Sequence, residues 1–288
     1  MSEPDPVIVA RLRAAGCVFA EEEAALLVAT AGSPEQVEAL LARRVAGEPL
    51  EPLVGFAEFG GLRIPVEPGV FVPRRRTEFL ASRAADLAAA GEPALDLCCG
   101  AGAIGAVIAS RVPGAEVYAA DVDAAAVRCA RGALGRDRVF EGDLFEALPP
   151  RLRGRFRVIA VNAPYVPTEA IALMPPEARL FEPAVALDGG GDGLDVHRRV
   201  AAECRDWLAP GAALLIETSD EQAERTCALF AAAGLTARIE TDDDLDATIV
   251  IAWGRCGRLN GIHLPLERGG DRRTRRWPGA SPSDADPP

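Results

Sequence analysis

This sequence predicts an α/β fold: a doubly wound sheet of seven strands with an antiparallel last strand, preceded by a small helical domain. Three observations carry that reading. From about Pro93 onward, short apolar strand-like runs alternate with helical ones. The first of these strands leads straight into a glycine-rich loop, which is followed by a helix start. The last two strands are parted only by Thr241-Asp242-Asp243-Asp244 and its neighbours, too few residues for a crossover helix. Alternation implies parallel pairing with right-handed crossovers, and the short final link implies an antiparallel pair.

Taken in order, residues 1–54 read as helices and form the expected N-terminal domain. Val9 and Leu12 precede a break at Gly16, and a second run, 24–31, follows Glu21-Glu22-Glu23. Ser33-Pro34-Glu35-Gln36 offers an N-cap serine, proline at the first helical position and glutamine at N3. Val37, Leu40, Leu41 and Val45 then share one face until Gly47 stops the helix. In the linker 55–75, Phe59-Gly60-Gly61-Leu62 with Ile64 and Val66 predicts a short hairpin. The main domain, 76–256, carries expected strands at 94–97, 116–120, 138–140, 157–161, 212–217, 235–240 and 247–252, and helices at 103–110, 124–134, 194–208 and 222–233. Residues 257–288 are rich in Gly, Arg, Pro, Ser and Asp and predict a disordered tail. Its Arg272-Arg273-Thr274-Arg275-Arg276-Trp277 run reads as solvated charge, with contact to RNA or an acidic partner as the alternative.

Composition narrows the function classes. With 49% hydrophobic and 26% charged residues, the 288-residue chain is an ordinary globular protein. All 31 basic residues are arginine, a bias that points to coding rather than chemistry. The net charge of −12 argues against a nucleic-acid partner, because gripping a duplex takes a basic face. Seven cysteines, an odd count without a C-x-x-C pair, and an acidic start without an apolar signal segment fit a cytoplasmic protein. No apolar run approaches the ~20 residues that cross a bilayer, so no membrane partner is expected.

"ALDLCCGAGAIG", 94–105, sets strand, acid, small-residue loop and helix start in that order. Ligands of a doubly wound sheet lie outside the carboxyl ends of the strands, where Gly100 and Gly102 let the backbone come close. The glycines alone would also suit a dinucleotide. Asp96, just before the loop, suits a cationic ligand better than a pyrophosphate. S-adenosylmethionine carries two cationic groups, an amine and a sulfonium. Asp121 ends the next strand, where a carboxylate accepts the ribose hydroxyls, while Asp123 reads as a helix cap. Asp143, in "EGDLFEAL" with Leu144, follows the third strand and is expected near the adenine edge. Each acid alone is also explained as a loop or cap residue; three at successive strand ends are harder to explain that way. Cys98 and Cys99 are adjacent, with no histidine nearby in sequence, so no metal is expected and they read as small loop residues.

"VNAPYVPT", 161–168, ends the fourth strand with an amide, a carbonyl and an aromatic ring. Pro164 biases Ala163 toward extended backbone and so holds its carbonyl. The Asn162 side chain and the Ala163 carbonyl are two acceptors that can take both hydrogens of a planar NH2 group, with Tyr165 stacked on its plane. Such a nitrogen is a poor nucleophile, and holding it while favouring the positive charge that develops on it lowers the barrier. An ordinary strand-ending turn is the competing explanation for Asn162 and Pro164.

In order along residues 5–253, "RRVAGEPLEPLVGFAEFGGLRIPVEPGVFVPRRRTE", "LDLCCGAGAIG", "AADVD", "GDLF", "VNAPY", "FEPAVALDGGGDGLD" and "LAPGAALLIETSDEQ" resemble the HemK/PrmC protein-glutamine methyltransferases. The resemblance implies a class I, Rossmann-like methyltransferase fold that uses S-adenosylmethionine and methylates the side-chain amide of a glutamine. The known target is the Gly-Gly-Gln motif of peptide chain release factors. It implies that the helical N-terminus helps bind a protein substrate and that Arg74 and Thr77 lie on the substrate side. Asn162 serves cofactor, substrate and catalysis, and Cys98 and Leu144 lie beside the cofactor. Three departures mark this chain as a divergent branch: Ala163 replaces the first proline of Asn-Pro-Pro-Tyr, Cys98 replaces the first loop glycine, and Pro-Arg-Pro-Glu-Thr-Glu becomes Pro73-Arg74-Arg75-Arg76-Thr77-Glu78. The alternatives are transfer to an exocyclic amine of a nucleic-acid base, a cofactor-binding relative without turnover, and a nicotinamide dehydrogenase, which Asp96 before the loop and the antiparallel last strand fit poorly.

Overall fold

The computed structural model describes residues 5–254. The expected tail and its arginine run lie outside them. Four helices open the chain: α1 (Pro6–Ala14), α2 (Ala20–Thr30), α3 (Pro34–Val45) and α4 (Leu50–Val54). Proline at the first turn starts α1 and α3, and each has a side-chain cap: Asp5 accepts from Val7 N, and Ser33 accepts from Gln36 N. Gln36 Oε1 reaches back to the Gly32 N–H at 2.7 Å, completing a reciprocal cap one residue earlier than the usual capping box. The four helices share a core of Leu12, Leu27, Leu41 and Leu53.

A hairpin follows, β1 (Phe56–Phe59) with β2 (Leu62–Pro65), turned by Gly60 and Gly61 at positive φ. A side chain at Gly60 would stand 2.6 Å from Val107, so the turn is seated on the helix that bears that valine. Next comes α5 (Thr77–Leu87), which the periodicity did not reveal. Its buried face is mostly Ala81, Ala84 and Ala85, small residues that contrast little with the polar positions between them.

The remaining elements are β3 (Pro93–Leu97), α6 (Ala103–Arg111), β4 (Glu116–Asp121), α7 (Ala124–Leu134), β5 (Val139–Glu141), β6 (Phe156–Val161), α8 (Pro176–Phe181), α9 (Asp195–Glu203), β7 (Leu208–Thr218), α10 (Asp220–Ala232), β8 (Thr236–Asp242) and β9 (Ala247–Trp253). The seven expected strands are all present. The helix expected over 194–208 ends at Glu203, because Trp207 is buried beside Phe145 and Leu208 already pairs with Phe156. Between that pair and Val158↔Ala213 the register shifts, and Pro210-Gly211 falls within the extra length of β7.

The strand order is β5-β4-β3-β6-β7-β9-β8, with β9 antiparallel to both its neighbours. The chain winds outward from β3 through β4 to β5, then returns to place β6 on the other side of β3. That reversal leaves a crevice at the carboxyl ends of β3 and β6. Both faces of the sheet are covered. Ala94, Val158, Ala160 and Leu215 meet α5 and α6 on one side, and Leu95, Ile159, Val161 and Ile216 meet α9 and α10 on the other. Burial on both faces explains why these strands read as continuous apolar runs. Among the described residues no helix is long and apolar enough to cross a membrane.

Candidate active site

At the carboxyl edge, β3 turns sharply out of the sheet. Cys98 has φ 59°, a left-handed conformation that costs a side-chain-bearing residue energy, and Gly100 and Gly102 follow at 53° and 79°. Cys98 therefore occupies a position whose backbone favours glycine. Burial pushes the Cys98 and Cys99 thiols up, so both remain protonated and free.

Asp96 lies beneath this turn and is fully buried. Its Oδ2 accepts from Gly105 N at 2.8 Å, tying the start of α6 to β3, while Oδ1 has no partner. Burial pushes its carboxyl up to about 8. Asp121, at the end of β4, accepts from Gly100 N at 2.8 Å, bracing the loop from the next strand, and from Asp123 N at 2.9 Å in its own turn. Burial raises its carboxyl as well, against those bonds. Asp123 caps α7 through Ala125 N at 2.8 Å. Asp143 is held by Arg199 of α9 at 2.7 Å, an ion pair between half-exposed partners that the sequence did not disclose.

Asn162 follows β6 directly. Its Nδ2 donates to Thr77 Oγ1 at 3.4 Å, a weak bond that orients the amide with its oxygen left over. Tyr165 is held at both ends: its hydroxyl donates to Glu217 Oε1 at 3.1 Å, and its carbonyl accepts from Gln222 Nε2 at 3.0 Å. Gln222 also reaches the Asp192 carbonyl at 3.1 Å, so one amide ties the Tyr165 segment to the glycine-rich turn 189–193. That approach is close. A side chain at Gly193 would stand 2.3 Å from the Tyr165 carbonyl oxygen, and one at Gly189 would stand 2.8 Å from the Tyr165 Cα.

The segment after Tyr165 folds over the crevice as short helical turns. Glu182, buried at its end, takes Arg74 Nη2 on both oxygens at 2.6 and 2.7 Å. Arg74 also lies over the Phe71 ring. Its charge is thus committed to the overhanging segment. On the other side Arg44 of α3 donates to Glu177 of α8 at 3.2 Å, joining the same segment to the N-terminal helices.

These groups surround one cavity of about 350 Å³. Arg74, Thr77, Cys98, Gly100, Asp121, Asp143, Leu144, Asn162, Ala163, Pro164 and Tyr165 all line it. Asp96 and Gly102 do not: Asp96 is turned under the loop to Gly105, and Gly102 caps α6 against Ala130. Glu217 and Arg199 line it too, and Gln222 supports it from behind. Glu217 carries the strand-end signal of the three aspartates, since it stands next to last in β7. Gln222 shows only a local bond from the Ser219 hydroxyl, and its bonds to the Tyr165 and Asp192 carbonyls are remote in sequence.

The Asp121 carboxylate at a glycine turn makes this edge favourable to a cation, whereas Asp96 holds a proton and Asp143 is paired with Arg199. The donor groups fit S-adenosylmethionine.

Comparison with known proteins agrees. Residues 61–201 match the methyltransferase small domain. A release factor glutamine methyltransferase of Geobacter sulfurreducens is 36% identical over 209 residues, 70% of this chain and 72% of that one. One from Burkholderia pseudomallei is 40% identical over 235 residues, covering 77% and 80% of the two chains. A methyltransferase crystal structure from Pyrococcus furiosus, 19% identical, superposes with a TM-score of 0.51 over 76% of this chain and 97% of that one, which shows the shared fold. Sequence kinship over most of both chains joins the strand order and the motifs in one conclusion: this protein belongs to the release factor glutamine methyltransferase family.

Proposed function

We propose that this enzyme transfers a methyl group from S-adenosylmethionine to the side-chain amide nitrogen of a glutamine in a protein, with a peptide chain release factor as the substrate its relatives' names point to. One observation carries the reading: Asn162, Ala163, Pro164 and Tyr165 line the same cavity as Gly100 and Asp121. A methyl acceptor held by the first group therefore lies within reach of a donor held by the second.

When bound, the cofactor supplies a methyl group on a positively charged sulfur. Asp121 would take the ribose hydroxyls, the Cys98–Gly100 turn would lie along the donor, and Asp143 and Leu144 would border the base. Asn162 Oδ1 and the Ala163 carbonyl accept the two amide hydrogens of the glutamine, and Tyr165 stacks on the amide plane. These dipoles favour positive charge on the nitrogen as it gains the methyl, so the proton leaves to water afterwards and no base is needed beforehand. Thr77 fixes the Asn162 amide, which is the orientation this requires. Replacing proline by Ala163 keeps the carbonyl. Arg74 serves the substrate side indirectly, by latching the overhanging segment through Glu182. The helices of residues 1–54 are assigned to docking the protein substrate, a role supported by the Arg44–Glu177 contact. A release factor acts in the cytoplasm, and the enzyme is placed there with it.

The test is incubation with labelled S-adenosylmethionine and either a release factor or bulk RNA. Label on a glutamine of the release factor is expected. Label on RNA, or on neither, would overturn the reading.

A further inference from the structure

We propose that Glu217 is a positioning residue of the transfer site: from the end of β7 it fixes the Tyr165 ring against the substrate amide. This rests on the transfer reaction above. Val161 pairs with Ile216 in the parallel β6–β7 ladder, so Asn162 and Glu217, the next residues of each strand, leave the register side by side. Glu217 lines the cavity although it is only 2% exposed. Its Oε1 accepts the Tyr165 hydroxyl at 3.1 Å and faces Arg76 Nε at 3.6 Å, and its Oε2 is buried without a hydrogen-bond partner.

A carboxylate buried with one oxygen unpaired is costly, and a neutral amide would accept the same phenol at less cost. What the anion adds is a stronger, charge-assisted bond that holds the ring in one orientation. Gln222 clamps the backbone end of Tyr165, so without Glu217 the ring would be free only at its tip. That is the part that must lie flat on the amide. Arg76 supplies the compensating charge from the cavity wall, and it stands where the family resemblance expects a glutamate. A second acid there would repel Glu217; the arginine favours its ionised form.

The groups facing Glu217 are Tyr165 beyond β6, and Thr77, Arg76 and Arg74 at the start of α5. Burial raises its carboxyl, against the Tyr165 hydroxyl and the two guanidiniums. An ionised Glu217 is therefore lost as pH falls through a value above the ordinary carboxylate range.

The experiment compares full-length wild type, Glu217→Gln, Tyr165→Phe, their double variant and Arg76→Gln, using the polypeptide the wild type labels. Cofactor binding serves as the check of folding. Glu217→Gln is expected to lower kcat about 10- to 100-fold, as for a misplaced reacting group, with KM for the cofactor within about twofold. The double variant should be no slower than the slower single one. The acid limb of kcat should vanish in Glu217→Gln and move to higher pH in Arg76→Gln. An unchanged kcat in Glu217→Gln, losses that multiply in the double variant, or an unmoved limb in Arg76→Gln would overturn the inference. A wild type that labels no polypeptide would instead overturn the proposed function.

Discussion

Asp96 and Asp121 are both carboxylates at strand ends, yet the protein uses them differently. Asp121 presents its side chain at the cavity, accepting from Gly100 of the loop it braces and from Asp123 in its own turn. Replacing it by Asn removes a charged acceptor, and charged hydrogen bonds contribute about 1.5–3 kcal/mol. Calorimetric titration should show cofactor binding weakened at least about tenfold. Asp96, with its carboxyl raised to about 8 by burial, binds a proton in the folded chain that the unfolded chain releases near the ordinary carboxylate value. The native state therefore binds more protons between those two values, and the cofactor-free protein should lose stability as pH rises through that window. Melting curves across the window should show that loss in the wild type and a smaller one in Asp96→Asn. Sequence spacing placed both acids at the ligand edge, because strand ends are legible. It did not tell that Asp96 sits beneath the loop, because which face a strand-end side chain takes depends on the turn after it. Glu217 obeys the same strand-end rule, but its meaning comes from Tyr165 and Arg76, partners 52 and 141 positions away in sequence.

At the scale of elements, the glycine-rich turn 189–193 shows what pattern reading leaves out. As a sequence, "DGGGDG" is a loop. As a structure, it is the surface on which the Tyr165 backbone rests, and Gly193 combines φ 75° with no room for a side chain. Gly193→Ala should cost more than ~1 kcal/mol in denaturant unfolding, because both its backbone conformation and its contacts are incompatible with a methyl group. It should also lower kcat by shifting Tyr165. The strands were legible because burial on both faces makes them continuous apolar runs, and the antiparallel end of the sheet followed from the short link before β9. The helix α5 was not legible, since alanine packs well without standing out. The boundary between α9 and β7 was misplaced because the strand begins before its apolar run does. In the α10 layer, Phe230 is fully buried against the sheet, and Phe230→Ala should destabilise the fold by about 3–5 kcal/mol in the same unfolding measurement.

Over the whole molecule, the order of winding creates the chemistry. Because the chain reverses beside β3, the glycine turn after β3 and the turn 162–165 after β6 open onto the same crevice, and β7 adds Glu217 at its side. The overhanging segment, latched by Arg74–Glu182 and by Arg44–Glu177, closes one wall and connects it to the N-terminal helices. The proposed division of labour, with the donor held at β3 and β4 and the acceptor at β6, predicts that the two separate in a single substitution at Asn162. The deciding measurement takes wild type and Asn162→Ala side by side, recording cofactor affinity by titration and methyl transfer to a release factor by mass spectrometry of the target glutamine. Both proteins should bind the cofactor alike, with the methylated glutamine present for the wild type and its rate of formation reduced at least about 100-fold in the variant. Equal loss of binding and transfer in Asn162→Ala, or full transfer by it, would contradict the account.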